Sequence, residues 1–283
     1  MAFGGKPVVK FAFWDTVNGA YRFVAGHPLM VLRTGWLYLI LNAFDVALRR
    51  GDSSAPSLRA IAFAIAILLI GAGIAWHIAL VRAILLDEHS WAAALQFRRR
   101  HWRLFGVSIV LFLMLLPIVV VAGLIGFFAF HFGGPVGIAI FVLFATVGIF
   151  ALILVACRLY LLGPAIATDD PAKAIRAAWR RGRGNSWRLF FGDLLMIVPA
   201  VVVAGLIGGA GGLLVFVATH GDLSFNDWIA QLSFGSRLAL GVAQGVIQLV
   251  ISAFNVAFYA FAYRQLAANW NVPPALAALQ IDT

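Results

Sequence analysis

The ten residues PIVVVAGLIG at 117–126 return as PAVVVAGLIG at 199–208, with nine of ten positions identical. Both copies lie inside long apolar stretches. An internal repeat of this kind indicates that the chain is built from equivalent structural units, and in membrane proteins such units are groups of spanning helices. The repeat therefore restricts the fold to architectures in which these two segments have similar surroundings.

The composition favours a membrane protein. Of the 283 residues, 63% are hydrophobic and only 11% are charged, whereas soluble domains carry about 25% charged residues. Six apolar stretches are as long as, or longer than, the roughly 20 residues that a helix needs to cross a bilayer. They are 29–48, 60–86, 104–130, 135–157, 189–218 and 238–263. We expect an all-α, polytopic membrane protein with six transmembrane helices, forming one membrane domain over 1–283.

The distribution of basic residues predicts the orientation. Seventeen of the 21 Lys and Arg residues fall at the termini or in the loops on one side of the predicted helices. By the positive-inside rule, both termini lie in the cytoplasm. The net charge of +10 is then explained by loops that face anionic lipid, and we expect no nucleic-acid partner. Most basic residues are Arg, which is typical of a GC-rich bacterial genome, so the expected location is a bacterial inner membrane.

The repeat extends to three parallel units, at about 8–86, 87–162 and 163–268. Each unit has a basic, Trp-bearing cytoplasmic stretch, an outward helix and a returning helix. The sequence Trp-Arg-Leu-Phe occurs at 102–105 and again at 187–190. Unit one aligns more loosely with unit two: Ala20, Phe23 and His27 match Ala94, Phe97 and His101.

Amphipathic patterns predict short helices in the cytoplasmic stretches, at about 14–24, 91–101 and 171–182. In the first, Trp14, Val17, Tyr21 and Val24 share one face. In the third, Gly182 and Gly184 mark the expected end. Helices of this kind lie in the headgroup plane with the apolar side toward the membrane.

The chain resembles a known family in one segment and at two flanking positions. The segment runs from Ala174 through Trp179 to Gly184-Asn185-Ser186-Trp187-Arg188-Leu189, with Pro164 before it and Tyr263-Arg264-x-Leu266 after it. It is similar to the six-helix membrane domain found with bacterial glycerophosphodiester phosphodiesterases and in free-standing inner-membrane proteins of poorly defined function. The hydrolytic activity of that family belongs to a soluble domain, so the resemblance implies no catalytic residue here.

No sequence motif indicates an enzyme. The chain has no nucleophile elbow, P-loop, zinc-protease motif or dinucleotide fingerprint. Cys157 is the single cysteine, and the six histidines are scattered between the two sides of the membrane. We therefore expect a non-enzymatic protein without a metal or cofactor.

Two polar stripes cross the predicted first and sixth spans. The first contains Thr34, Tyr38, Asn42, Asp45 and Arg49; the second contains Gln244, Gln248, Ser252, Asn255 and Tyr259. Polar groups in hydrocarbon are costly unless they are paired or hydrated, so both stripes should face inward. We call Asn42, Asp45, Gln244, Gln248, Ser252 and Asn255 the polar seam. Interhelical hydrogen bonding is the favoured explanation, and a hydrated or amphiphile-binding pathway is the alternative. Depth in the membrane favours Gln244 over Asn255 as the partner of Asp45.

Small residues indicate where helices pack closely. The fifth span carries Ala200, Ala204, Gly208 and Gly212 at four-residue spacing, and the sixth carries Gly241 and Gly245. Such spacing permits close contact between helices, within the bundle or between copies of the chain.

These patterns predict a protein that binds or organises anionic phospholipid, or that acts as a subunit of a larger membrane assembly. A transporter or channel for a lipid or small amphiphile is the alternative. The expected partners are membrane lipids, especially anionic ones, together with a membrane-protein partner or a second copy of the chain. The residues predicted to meet lipid headgroups are Arg98, Arg99, Arg100, Arg180, Arg181 and Arg183.

Overall fold

A computed structural model describes residues 10–49, 56–88, 97–169, 174–218, 229 and 231–268. These residues form helices, with no strand among them, which confirms the all-α prediction. The helices are α1 (Phe13–Gly26), α2 (Pro28–Thr34), α3 (Trp36–Arg49), α4 (Pro56–Leu86), α5 (Arg99–Phe132), α6 (Gly134–Leu159), α7 (Leu162–Ala167), α8 (Ala174–Gly182), α9 (Ser186–Ala218) and α10 (Phe234–Ala268).

Three stretches of the described chain are helical, long and apolar enough to cross a membrane. They are Ser57–Leu86, Gly134–Ala167 and Phe234–Ala267. A fourth results if the bent pair α2 and α3 is counted as one span. The two remaining predicted spans fall in α5 and α9, which are 34 and 33 residues long and continue through Pro117 and Pro199. Neither is among the described helices that meet this criterion, so six spans stay a prediction.

The first predicted span, 29–48, is not one straight helix. The chain bends by 67° between α2 and α3, with Gly35 at the break. Thr34 Oγ1 donates hydrogen bonds to the carbonyls of Met30 (2.9 Å) and Val31 (3.1 Å), and such back-bonding bends helices. A Cβ on Gly35 would lie 2.6 Å from Leu249 Cδ1, so the bend brings the backbone against α10.

The buried core lies near the C-terminal ends of α4 and α10. Leu80, Leu85, Phe258 and Tyr263 are buried there, and all six residues of α7 are buried beside them. In contrast, the N-terminal half of α4 exposes apolar side chains, such as Phe63 at 69%. The described part of the bundle is thus packed at one end, and its apolar surface is exposed toward the other.

Helix α1 is amphipathic as predicted, but protein covers its apolar face. Val17, Ala20 and Val24 are buried, whereas Asn18 and Arg22 are exposed. Contacts to α10 include the ring of Tyr21, which lies 5.0 Å from that of Phe254. Trp14, predicted on the apolar face, stays 65% exposed. The apolar face of α1 therefore packs on α10, whereas the sequence predicts that this face lies on the membrane.

The predicted helix at 171–182 corresponds to α8, which ends at Gly182 as expected. Gly184 follows with a φ of +79°, a left-handed conformation that favours glycine and suits the turn into α9. The predicted helix at 91–101 falls partly outside the described residues, because the description resumes only at 97.

Two motifs used to align the units have matching local geometry. The Trp102 and Phe105 rings are 6.1 Å apart at 80°, and the Trp187 and Phe190 rings are 6.1 Å apart at 84°. The Phe23–His27 and Phe97–His101 pairs are both stacked, at 5.0 Å and 5.1 Å. The two copies of each motif therefore share the same ring arrangement.

Candidate functional site

The six arginines predicted to meet headgroups divide into two groups. Four are exposed, and we call them the exposed arginine group: Arg98, Arg99, Arg180 and Arg183. Arg100 is largely buried, and its guanidinium lies 3.5 Å from Asp169 Oδ2. Arg181 is 8% exposed and donates from Nη1 to Tyr263 Oη at 2.8 Å. Arg181 thus has a buried protein partner, whereas Arg100 lies beside the exposed carboxylate of Asp169. Headgroup contact by these two residues stays a prediction.

Charged side chains form a network where α4, α5 and α7 meet. Arg82 binds both carboxylate oxygens of Glu88 and donates to the carbonyl of Ala167 at 2.7 Å. Its Nη1 also lies 3.9 Å from Asp169 Oδ2, the atom that Arg100 approaches. The hydrogen bonds from Arg82 lower the pKa of Glu88. This network holds Glu88, which follows α4, beside the end of α7.

A second arginine near a helix end makes comparable contacts between segments. Arg158, near the end of α6, donates from Nε to Ser186 Oγ at the start of α9. Its guanidinium lies 4.8 Å from the centre of the Trp179 ring on α8. Arg82 near the end of α4 and Arg158 near the end of α6 therefore both join the end of a helix to segments that follow later in the chain.

One residue of the polar seam makes a buried hydrogen bond between two helices. Asn42 on α3 is buried and donates from Nδ2 to the carbonyl of Gly241 on α10 at 2.9 Å. A Cβ on Gly241 would lie 2.7 Å from Ala43 Cα, so the two backbones approach closely, as the small residues of the sixth span suggested. Asp45 and Ser252 are half-buried, and Gln244 and Gln248 are exposed. The Asp45–Gln244 pairing stays a prediction.

The remaining seam residue, Asn255, faces a different helix. Its Nδ2 donates to Oδ1 of Asp193 on α9. Beside this pair, the rings of Tyr160 and Tyr259 stack at 5.1 Å. Tyr259 is 2% exposed, and its hydroxyl has no hydrogen-bond partner in the described part of the chain. We call Asp193, Asn255, Tyr160 and Tyr259 the embedded polar cluster.

Asp193 was absent from the predicted site residues. It stands alone between apolar neighbours, in the segment Phe-Gly-Asp-Leu-Leu at 191–195, and so belongs to no stripe. Its position is nevertheless informative, since an ionisable residue inside a predicted span usually has a functional role or a polar partner.

A groove of about 690 Å³ lies where the N-terminal ends of α1 and α9 meet. It is lined by Ala12, Phe13, Trp14, Asp15, Arg188 and Phe191. We call it the interfacial groove. It combines aromatic walls with one cation and one anion.

No three His, Cys, Asp or Glu residues in the described ranges are arranged to hold a metal ion. Comparisons with protein-family models, with curated proteins and with solved structures found no match.

Proposed function

We propose that this chain is a six-span, non-enzymatic protein of a bacterial inner membrane that binds anionic phospholipid through the exposed arginine group. Its helices would form three parallel two-helix units with both termini in the cytoplasm. The matching geometry of the Trp-Arg-Leu-Phe motifs at 102–105 and 187–190 supports the repeat, and the basic bias of the sequence supports the orientation.

The observation that carries the lipid proposal is the position of exposed arginines beside exposed tryptophans. Arg98 and Arg99 precede Trp102, and Arg183 precedes Trp187; these five side chains are all exposed. Tryptophan is enriched at the level of the lipid headgroups. Each nearby cation contributes about 1 kcal/mol of attraction toward an anionic leaflet. The exposed arginine group would therefore hold this end of the bundle on anionic lipid.

The test replaces all four members of the exposed arginine group with Gln and counts anionic lipids retained by the purified protein in native mass spectrometry. We expect at least a severalfold loss of bound phosphatidylglycerol and a weaker dependence of its binding on salt. The matched control replaces the same four residues with Lys, which keeps the charge. Unchanged retention in the Gln variant would reject the proposal.

A second candidate is transport of a lipid or small amphiphile. The embedded polar cluster favours it, because an acidic residue within an apolar helix commonly marks a substrate or ion pathway. The test is flux of a fluorescent phospholipid across proteoliposomes, with Asp193→Asn as the variant. If the wild-type protein produces no phospholipid flux, transport is rejected as a function.

A subunit role or a homo-oligomer is the third candidate. Two further small residues of α9 support it, since a Cβ on Gly205 or Gly209 would meet no described atom within 4 Å. Mass photometry in nanodiscs would separate a monomer from an oligomer.

A further inference from the structure

We propose that the interfacial groove binds a phospholipid whose headgroup carries both a phosphate and an ammonium group, as in phosphatidylethanolamine. The exposed arginine group responds only to negative charge, whereas this groove presents both signs. The groove would therefore bind, at a defined place, a lipid class distinct from the one that the exposed arginine group binds.

The cation of the groove is held in position. Arg188 donates from Nη1 to the carbonyl of Phe11 at 2.6 Å, and Phe11 is buried in the core. The adjacent backbone N–H of Ala12 donates to Gln265 Oε1 at 2.7 Å. The guanidinium has five N–H donors, so it retains donors for a ligand while its position is fixed. A planar guanidinium matches phosphate oxygens well.

The anion of the groove is Asp15, in the first turn of α1, and it is exposed. A carboxylate repels a purely anionic headgroup but attracts an ammonium group. Arg188 and Asp15 line the same groove. A zwitterionic headgroup therefore satisfies both charges, with its phosphate toward Arg188 and its ammonium toward Asp15.

The walls of the groove suit the rest of the lipid. Trp14 is 65% and Phe191 is 49% exposed, which leaves apolar area for the glycerol and the upper acyl chains. The Phe191 ring stacks on that of Trp187 at 5.8 Å, and Phe13 packs edge-on against Trp14 at 5.1 Å. A volume of about 690 Å³ falls within the range of small-molecule sites. Aromatic side chains at this level match the headgroup region of a bilayer.

The repeat supplies a matched control residue. Arg103 has the same place in its Trp-Arg-Leu-Phe motif as Arg188, is exposed, and does not line the groove. Arg103→Gln and Arg188→Gln therefore make the same charge change at aligned positions.

The experiment offers equal amounts of phosphatidylethanolamine and phosphatidylglycerol to the purified full-length protein and measures bound lipid by native mass spectrometry. We expect the wild type to retain phosphatidylethanolamine at least threefold over phosphatidylglycerol at the tightest site. Asp15→Asn should abolish this preference, because phosphatidylglycerol is no longer repelled. In Arg188→Gln, the amounts of both lipids bound at this site should fall at least fivefold. In Arg103→Gln, the bound lipid should equal that of the wild type.

Asp15 is exposed, so its variant tests the proposal even if Arg188→Gln fails to fold. An unchanged lipid preference in Asp15→Asn would overturn the proposal, as would equal losses in Arg103→Gln and Arg188→Gln. Neither result bears on the exposed arginine group, whose Gln variant is scored on total phosphatidylglycerol.

Discussion

Asn255 on α10 donates a hydrogen bond from its side-chain amide to the carboxylate of Asp193 on α9. Asp193 has apolar neighbours on α9, whereas Asn255 belongs to the polar stripe of α10. The pair satisfies two side chains that hydrocarbon would not solvate. The sixth predicted span is therefore joined by polar side chains to α3 through Asn42 and to α9 through Asn255.

Removal of either partner should destabilise the bundle, and the effects should not add. We expect Asp193→Ala and Asn255→Ala to show a coupling energy of about 1–2 kcal/mol in a double-mutant cycle, because the first substitution already breaks the bond. The free energy of unfolding in mild detergent, followed by circular dichroism, measures it. Gln248→Ala, at an exposed residue of the same helix, should be additive with Asp193→Ala. Additivity in the Asn255 cycle as well would contradict the pairing.

Close backbone contact makes Gly241 intolerant of a larger residue. A Cβ there would lie 2.7 Å from Ala43 Cα and 2.9 Å from the Ala43 carbonyl oxygen. Gly241→Ala should therefore cost about 1–3 kcal/mol through overpacking. Gly205→Ala is the control: it meets no described atom within 4 Å and should gain helix stability of up to about 1 kcal/mol. Thermal unfolding of both variants tests this contrast, and equal effects would argue against the α3–α10 contact.

The sequence is enough to predict where the helices lie, but it predicts less well which helices and side chains contact one another. Apolar length predicts α4, α6 and α10, and the glycine spacing indicates the close contact at Gly241. Periodicity places Asn255 on a stripe that faces the first span, but its hydrogen-bond partner, Asp193, stands outside any periodic pattern. Local sequence also does not predict that Arg181 is buried and Arg183 exposed. Arg181 is buried because it packs on Tyr263, which is distant in the sequence.

Arg181 should matter for folding and Arg183 should not. Replacing Arg181 with Gln removes the buried bond to the Tyr263 hydroxyl, and we expect a loss of about 1–3 kcal/mol. Arg183→Gln, at an exposed residue two positions away, should change stability by less than about 0.5 kcal/mol. Denaturant titrations in detergent compare the two. Tyr263→Phe should reproduce part of the Arg181 effect, and a neutral Arg181 variant would show that the bond contributes nothing.

The Arg82–Glu88 pair should make stability depend on acid pH. Because the pKa of Glu88 is lowered in the folded chain, the pair contributes stability above the ordinary glutamate pKa of 4.5. That contribution is lost as the pH falls through the folded-state pKa. Melting temperatures measured between about pH 7 and about pH 3.5 should fall less steeply for Glu88→Gln than for the wild type. Parallel curves for wild type and Glu88→Gln would contradict the role of the pair.

Cysteine labelling tests the number of spans together with the orientation. In a Cys157→Ser background, Phe132→Cys and Ser236→Cys should react with an impermeant maleimide added to intact cells, since both positions are predicted to lie outside. Asn18→Cys and Arg183→Cys should react only after the membrane is permeabilised. All four positions are exposed, so access to the protein surface does not bias the comparison. Inverted labelling would reverse the orientation, and mixed labelling within either pair would reject six spans.

The concentration of buried side chains at one end of the bundle has a mechanical consequence. Side chains of α5 and α6 such as Phe130 and Phe144 are more than two-thirds exposed, so these helices are held mainly by contacts near the packed end. Hydrophobic mismatch costs only a fraction of a kcal/mol per ångström and is relieved by helix tilt. In a thinner or thicker bilayer, the α5–α6 hairpin would tilt about its packed end while the core around Tyr263 stays intact.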